Sequence, residues 1–190
     1  MIKIYLIIIT LFILNGIKAQ TSWIGATSTN WSTASNWTSG VPNSTKDAII
    51  GDANFTGSFQ PVLTANSSCK LLTIGAAAKI STLTVGKNIT ISGTLTIGSN
   101  GTISHTTANS VITLNGNWVN SGVYTASVSS NKVTFAGAAQ SITGATTFKQ
   151  LTINAGSTTS LANNIIVNSG LSVSGTLDPT ANFLISGTAS

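Results

Sequence analysis

The sequence predicts an all-β chain wound into a parallel β-helix, with a tryptophan-rich N-terminal cap and a signal peptide ahead of it. Three observations predict this fold class. Val, Ile and Leu alternate with Thr or Ser at the period of two that marks half-buried strands, and Gly and Asn punctuate the runs as turns. Short triplets of this kind recur at a fixed hexad spacing. Beyond the first apolar run, no window places apolar residues at i, i+3, i+4 and i+7 among good helix formers. Thr, Ser, Asn and Gly make up 92 of the 190 residues, a composition that would suit disorder if the apolar residues were scattered. Their regular spacing argues instead for a packed β core.

Residues 1–19 read as the signal peptide. Lys3 precedes an apolar run from Ile4 to Leu14, and Asn15-Gly16-Ile17-Lys18-Ala19 follows, with cleavage expected between Ala19 and Gln20. That run is too short for a hydrocarbon core of about 30 Å, which takes roughly 20 apolar residues as a helix. The expected destination is therefore outside the cell, secreted or at its surface, without stable membrane insertion of the mature chain.

Residues 20–68 are expected to form the cap and the first coils. Trp23, Trp31 and Trp37 stand ahead of the repeats, where a solenoid needs a bulky plug over its open apolar end and strand edges. The alternative for these rings is an exposed platform that stacks sugars. Trp118 is expected to pack between two repeat blocks.

Residues 69–190 carry the repeats. Leu83-Thr84-Val85, Ile89-Thr90-Ile91, Leu95-Thr96-Ile97 and Gly101-Thr102-Ile103 follow one another in a single hexad register. Strand side chains alternate faces, so the flanking apolar residues point in and the central Thr points out. The register returns as Ile165-Ile166-Val167, Leu171-Ser172-Val173, Leu177-Asp178-Pro179 and Phe183-Leu184-Ile185, and the lead-in Lys70-Leu71-Leu72-Thr73-Ile74 returns as Lys149-Gln150-Leu151-Thr152-Ile153. This implies two copies of a larger unit. Three hexads make a coil of about 18 residues, and looser spacings, such as the step of 11 from Leu72 to Leu83, imply coils with longer corners; the apolar face of each coil is buried only against its neighbours. A β-sandwich is the competing architecture, with a turn signal about every 8 to 12 residues.

The chemistry-bearing inventory is small. There is no Arg and no Glu; without the expected signal peptide, six dispersed Lys face Asp47, Asp52 and Asp178 for a net charge of +3. A nucleic-acid partner would need clustered cations, so none is expected. Cys69 has no internal partner and reads as a small buried apolar residue. His105 lies in the polar stretch Ser104-His105-Thr106-Thr107-Ala108-Asn109 and reads as a turn histidine facing solvent, with no carboxylate in sequence reach to build a triad. Asp47 and Asp52 read as parts of an early strand-turn; a Ca²⁺ site there falls short of the usual complement of about 6 to 8 oxygen ligands. Zinc needs more His and Cys than the chain has. The expectation is no catalytic residue, no cofactor and no metal.

The opening Trp23-x-Gly25 … Asn36-Trp37-x-x-Gly40-x-Pro42, then Gly116-Asn117-Trp118 with Gly122, Val133-Thr134-Phe135 with Gly137, Gln140-Ser141-Ile142 and Leu151-Thr152-Ile153 together resemble the large secreted repeat proteins of Bacteroidetes-type bacteria. The resemblance implies a right-handed, pectin-lyase-like β-helix, export by the type IX system, and a longer polypeptide with further repeats and a C-terminal sorting domain. The secretion signal, the repeats, the scarcity of charge and the lack of a catalytic set make an extracellular structural or adhesive module, not an enzyme, the leading expectation. A β-helix that binds or degrades polysaccharide is the second, since fold does not decide function. Ice binding is a third class, motivated by Thr84, Thr90, Thr96 and Thr102, but successive hexads on different sides of a coil would not share a face.

Overall fold

The computed structural model describes residues 19–76, 79–179 and 185–186. Residues 1–18 of the expected signal peptide lie outside the described residues, as do Phe183 and Leu184. The described chain is an all-β parallel solenoid of about six turns. Strand β1 (Gln20–Ser22) belongs to the cap. The first coil is β2 (Asp47–Ile50), β3 (Val62–Leu63) and β4 (Ser67–Cys69); the second is β5 (Leu72–Ile74), β6 (Ser81–Val85) and β7 (Ile89–Ile91). The third is β8 (Leu95–Ile97), β9 (Gly101–His105) and β10 (Val111–Leu114), and the fourth is β11 (Trp118–Asn120), β12 (Val123–Ala126) and β13 (Lys132–Phe135). Then come β14 (Ala139–Thr143) with β15 (Thr146–Ile153), β16 (Thr158–Leu161) with β17 (Ile165–Val173), and finally β18 (Thr176–Asp178) and β19 (Ile185–Ser186).

Each of the first four coils therefore has three sides. The first side stacks β1-β2-β5-β8-β11-β14-β16-β18, the second β3-β6-β9-β12, and the third β4-β7-β10-β13-β15-β17, with β19 on the far edge of β17. All of these strand pairs are parallel. The long strands β15 and β17 are each interrupted by an irregularity: Thr146–Phe148 pairs with Ile165–Val167, and after a register shift Gln150–Ile153 pairs with Gly170–Val173.

The hexads fall where alternation puts them. Leu83, Val85, Ile89, Ile91, Leu95 and Ile97 are buried, while Thr84, Thr90 and Thr96 face outward on the second, third and first sides. On the third side Cys69, Ile91, Leu114, Phe135 and Ile153 form one inward column and Ile89, Ile112, Val133 and Leu151 another. Removing each such aliphatic or aromatic side chain from water is worth about 1.5–3 kcal/mol. Cys69 fills its place as a buried free thiol, and burial pushes its ionisation well above the ordinary range. Trp118 is buried inside the fourth coil, edge-on to Tyr124 and Phe148 at centroid distances of 5.0 and 5.2 Å.

The early coils have the longer corners that the looser spacings imply: Ala48 stacks on Leu72, Leu72 on Leu95 and Leu95 on Trp118, and later coils approach the three-hexad length, as from Ser160 to Asp178. One expectation is corrected: the chain is one continuous stack rather than two copies of a unit, since Leu72–Ile74 lies on the first side and Leu151–Ile153 on the third. Similar sequences there reflect the same inward-outward-inward demand on different sides. Leu171 and Val173 keep the inward register of Leu151 and Ile153 but stay half-exposed at the last described coil.

The corners explain the Asn content. Bends leave main-chain N–H groups without ladder partners, and side-chain amides of the adjacent coil accept from them. Asn66 Oδ1 accepts from Asn88 N, Asn88 Oδ1 from Val111 N, Asn117 Oδ1 from Ser141 N, and Asn163 Oδ1 from Gly144 N at 2.7 Å. Gly144 has φ +88°, and a Cβ there would fall 1.8 Å from Asn120 O; the neighbouring coil passes too close for any side chain.

Candidate functional site

The three cap tryptophans are 0, 1 and 3% exposed, so they form a plug and not a sugar platform. Trp37 meets Trp23 and Trp31 edge-on at centroid distances of 5.1 and 4.7 Å, the arrangement that ring quadrupoles favour. Trp23 Nε1 donates to Phe59 O and Trp37 Nε1 to Trp31 O. Asn36, fully buried, holds the loop over them: its Oδ1 accepts from Thr27 N and Ser28 N, and its Nδ2 donates to Ser28 Oγ and Asn30 O. The cap also continues two sides of the solenoid, β1 pairing β2 and Asn30 bridging Val62.

His105 is the main departure from the sequence reading: it is 0% exposed, not a solvent-facing turn residue. It ends β9 on the inward parity of Gly101 and Ile103, a signal the surrounding polar residues obscured. Ser110 Oγ donates to Thr107 O at 2.5 Å. With that hydroxyl proton committed, Nε2–H of the imidazole donates to Ser110, whose Oγ and O lie at 2.8 and 3.0 Å, and Nδ1 accepts from the Tyr124 hydroxyl at 3.0 Å. Asn131 Nδ2 closes the network on Thr107 O. Every partner is satisfied by a neutral ring, so the cluster ties the third coil to the fourth.

Burial lowers the His105 pKa from 6.5 to about 4 and raises that of Tyr124. The folded state thus binds fewer protons than the unfolded chain between these values, and stability present above pH 6.5 is lost as pH falls toward 4, by about 3 kcal/mol in all. Urea midpoints of the full chain should drop between pH 7 and 5, and His105→Gln should be less stable at pH 7 yet flatten that slope. An unchanged slope would exclude a buried neutral imidazole.

Asp52 is engaged by Ser22 Oγ at 2.6 Å and by Asn54 N and Nδ2. Asp47 opens β2 with its Oδ1 buried and without a hydrogen-bond partner, and its charge reinforces the raised pKa of Cys69. No group of three or more His, Cys, Asp or Glu gathers among the described residues. The described residues form no helix long and apolar enough to cross a membrane.

Concave surface among the described residues includes three grooves. One groove lies between cap and β4, lined by Ser32, Val41, Pro42, Asn66, Ser67 and Ser68; another follows the corner at Lys87, Asn88 and Asn109. The third, about 230 Å³, lies on the outer face of the third side among Lys132, Gln150, Thr152, Gly170 and Ser172. That face carries an outward column Ser68, Thr90, Thr113, Thr134, Thr152, Ser172, one residue per coil. Beside it runs the column Val111, Lys132, Gln150, Gly170. Sequence reasoning missed this grouping because it depends on long and unequal inter-coil steps that no local pattern displays. Thr84 and Thr102, though both on the second side, fall in different columns, opposite Ser104 and Thr82.

A family model described as a domain of unknown function (DUF8693) matches residues 22–137, the span of the cap and the first four coils. No curated protein and no solved structure matches the chain.

Proposed function

The chain belongs to the DUF8693 family, and from that premise and the geometry we propose that it works outside the cell as a non-catalytic structural or adhesive module. The observation that carries this reading is the disposition of polar groups. The solenoid commits its histidine, its buried amides and its cap tryptophans to internal closure, and presents flanks of Thr, Ser and Asn to its surroundings. Six coils at a strand spacing of about 4.8 Å make a spacer on the order of 30 Å long. The signal-like opening residues support export.

Two measurements test it. The 190-residue chain expressed in a Gram-negative host should be processed near Ala19 and recovered from the medium or cell surface; retention of the unprocessed chain in the cytoplasm would contradict the extracellular reading. Purified protein incubated with pectic, alginate and host-type polysaccharides, with and without Ca²⁺, should release neither reducing ends nor unsaturated sugars. Turnover abolished by Asp47→Asn or Asp52→Asn would make it an enzyme. Carbohydrate binding is the second reading, favoured by the groove beside Lys132.

A further inference from the structure

We infer that the groove on the outer face of the third side binds an acidic sugar unit of an extracellular polysaccharide, with the chain of sugars running along the Ser/Thr column. This rests on the adhesive reading above and gives that adhesion a ligand class.

The groove's chemistry is mixed in the way a charged sugar requires. Lys132 supplies a cation, Gln150 an amide that both donates and accepts, and Thr152 and Ser172 two hydroxyls. No side-chain hydrogen bond or ion pair within the described residues occupies the polar ends of these four, so they are available to a ligand. Their columns are in parallel register, Lys132 opposite Gln150 and Thr152 opposite Ser172, which fixes them on neighbouring strands about 4.8 Å apart. A volume near 230 Å³ is below the roughly 300–1,000 Å³ of pockets for drug-sized ligands, so it suits one ring of a longer molecule.

Gly170 keeps the groove open. A Cβ at this position would meet only Gln150 Cγ, at 3.8 Å, an ordinary contact, so backbone crowding does not exclude a side chain here. The missing side chain leaves a notch at the end of the Lys132–Gln150 column.

Charge completes the case. The three aspartates, at 47, 52 and 178, belong to β2, the turn after it and β18, with both strands on the first side. The strands of the third side carry Lys132 and Lys149. An anionic chain on this face meets cations and hydroxyls with no opposing carboxylate in its strands. The shared chemistry recognised is an anionic oxygen group on a pyranose, either carboxylate or sulfate ester.

The test uses the full chain and three polymers with one backbone: dextran, carboxymethyl-dextran and dextran sulfate. Binding to one or both acidic polymers is expected, weakened by salt, with neutral dextran bound at least tenfold more weakly; the stronger acidic arm identifies the group. Lys132→Gln and Gly170→Gln should each weaken that binding by about tenfold or more, while circular dichroism and thermal midpoint stay at wild-type values. Lys70→Gln and Lys87→Gln remove the same charge elsewhere and should change affinity by no more than about twofold. Equal losses from all three lysine variants, or full affinity in Gly170→Gln, would reduce the effect to general attraction and overturn the groove. Failure to bind either acidic polymer would also overturn it, yet leave the adhesive reading to its own export and turnover tests.

Discussion

Ile91→Asp is expected to unfold at least the second and third coils at neutral pH. Ile91 is fully buried in β7, between Cys69 and Leu114 in the inward column of the third side. The substitution forfeits about 1.5–3 kcal/mol of burial and places a carboxylate among apolar neighbours with no cation to pair it, a penalty of several kcal/mol more. Domains of this size have only about 5–15 kcal/mol in total, and each coil is held by its two neighbours alone. The measurement is limited proteolysis followed by mass spectrometry, with cuts expected first between Ser67 and Leu114. Thr90→Ser, one residue earlier and facing out, should lie within about 0.5 kcal/mol of wild type. A protease-resistant Ile91→Asp protein would refute the inward column.

Trp37→Ala should cost about 3–5 kcal/mol, the usual range for emptying a buried aromatic site. The indole bridges Trp23 and Trp31 and donates to Trp31 O, so its loss opens a cavity and frees both neighbouring rings. Because the cap continues only the first and second sides, the effect should be graded. Amide exchange should accelerate most in β1 to β3 and fade by the fourth coil. Uniform acceleration along the stack would mean that the cap stabilises the whole molecule cooperatively. A change below about 1 kcal/mol would remove Trp37 from the plug.

The fold was legible where one residue's environment depends on its immediate neighbours. Leu83-Thr84-Val85 and Ile89-Thr90-Ile91 announce their faces because strand alternation is a two-residue property, and Trp23, Trp31 and Trp37 announce a plug because an open apolar end demands one. What stayed hidden depends on how one coil lies over the next. His105 read as exposed because its local stretch is polar, although its parity with Ile103 points it inward toward Tyr124, a residue of the following coil. The repeated lead-in, Lys70 to Ile74 and Lys149 to Ile153, suggested equivalence, but corner lengths had shifted the second copy to another side. The groove of Lys132, Gln150, Thr152 and Ser172 needed the registers of three successive strands, set by those same corners.

The parallel ladders have a mechanical consequence. In such a stack the hydrogen bonds between coils lie along the long axis, so a pull on its two ends loads them in tension at the outermost coil instead of shearing many at once. Coils then detach singly. Each shortens the stack by one strand spacing of about 4.8 Å and releases roughly 20 residues, which extend to about 70 Å. Under load, a tether built this way lengthens in steps far larger than the height surrendered, dissipating force coil by coil while the remaining coils stay folded.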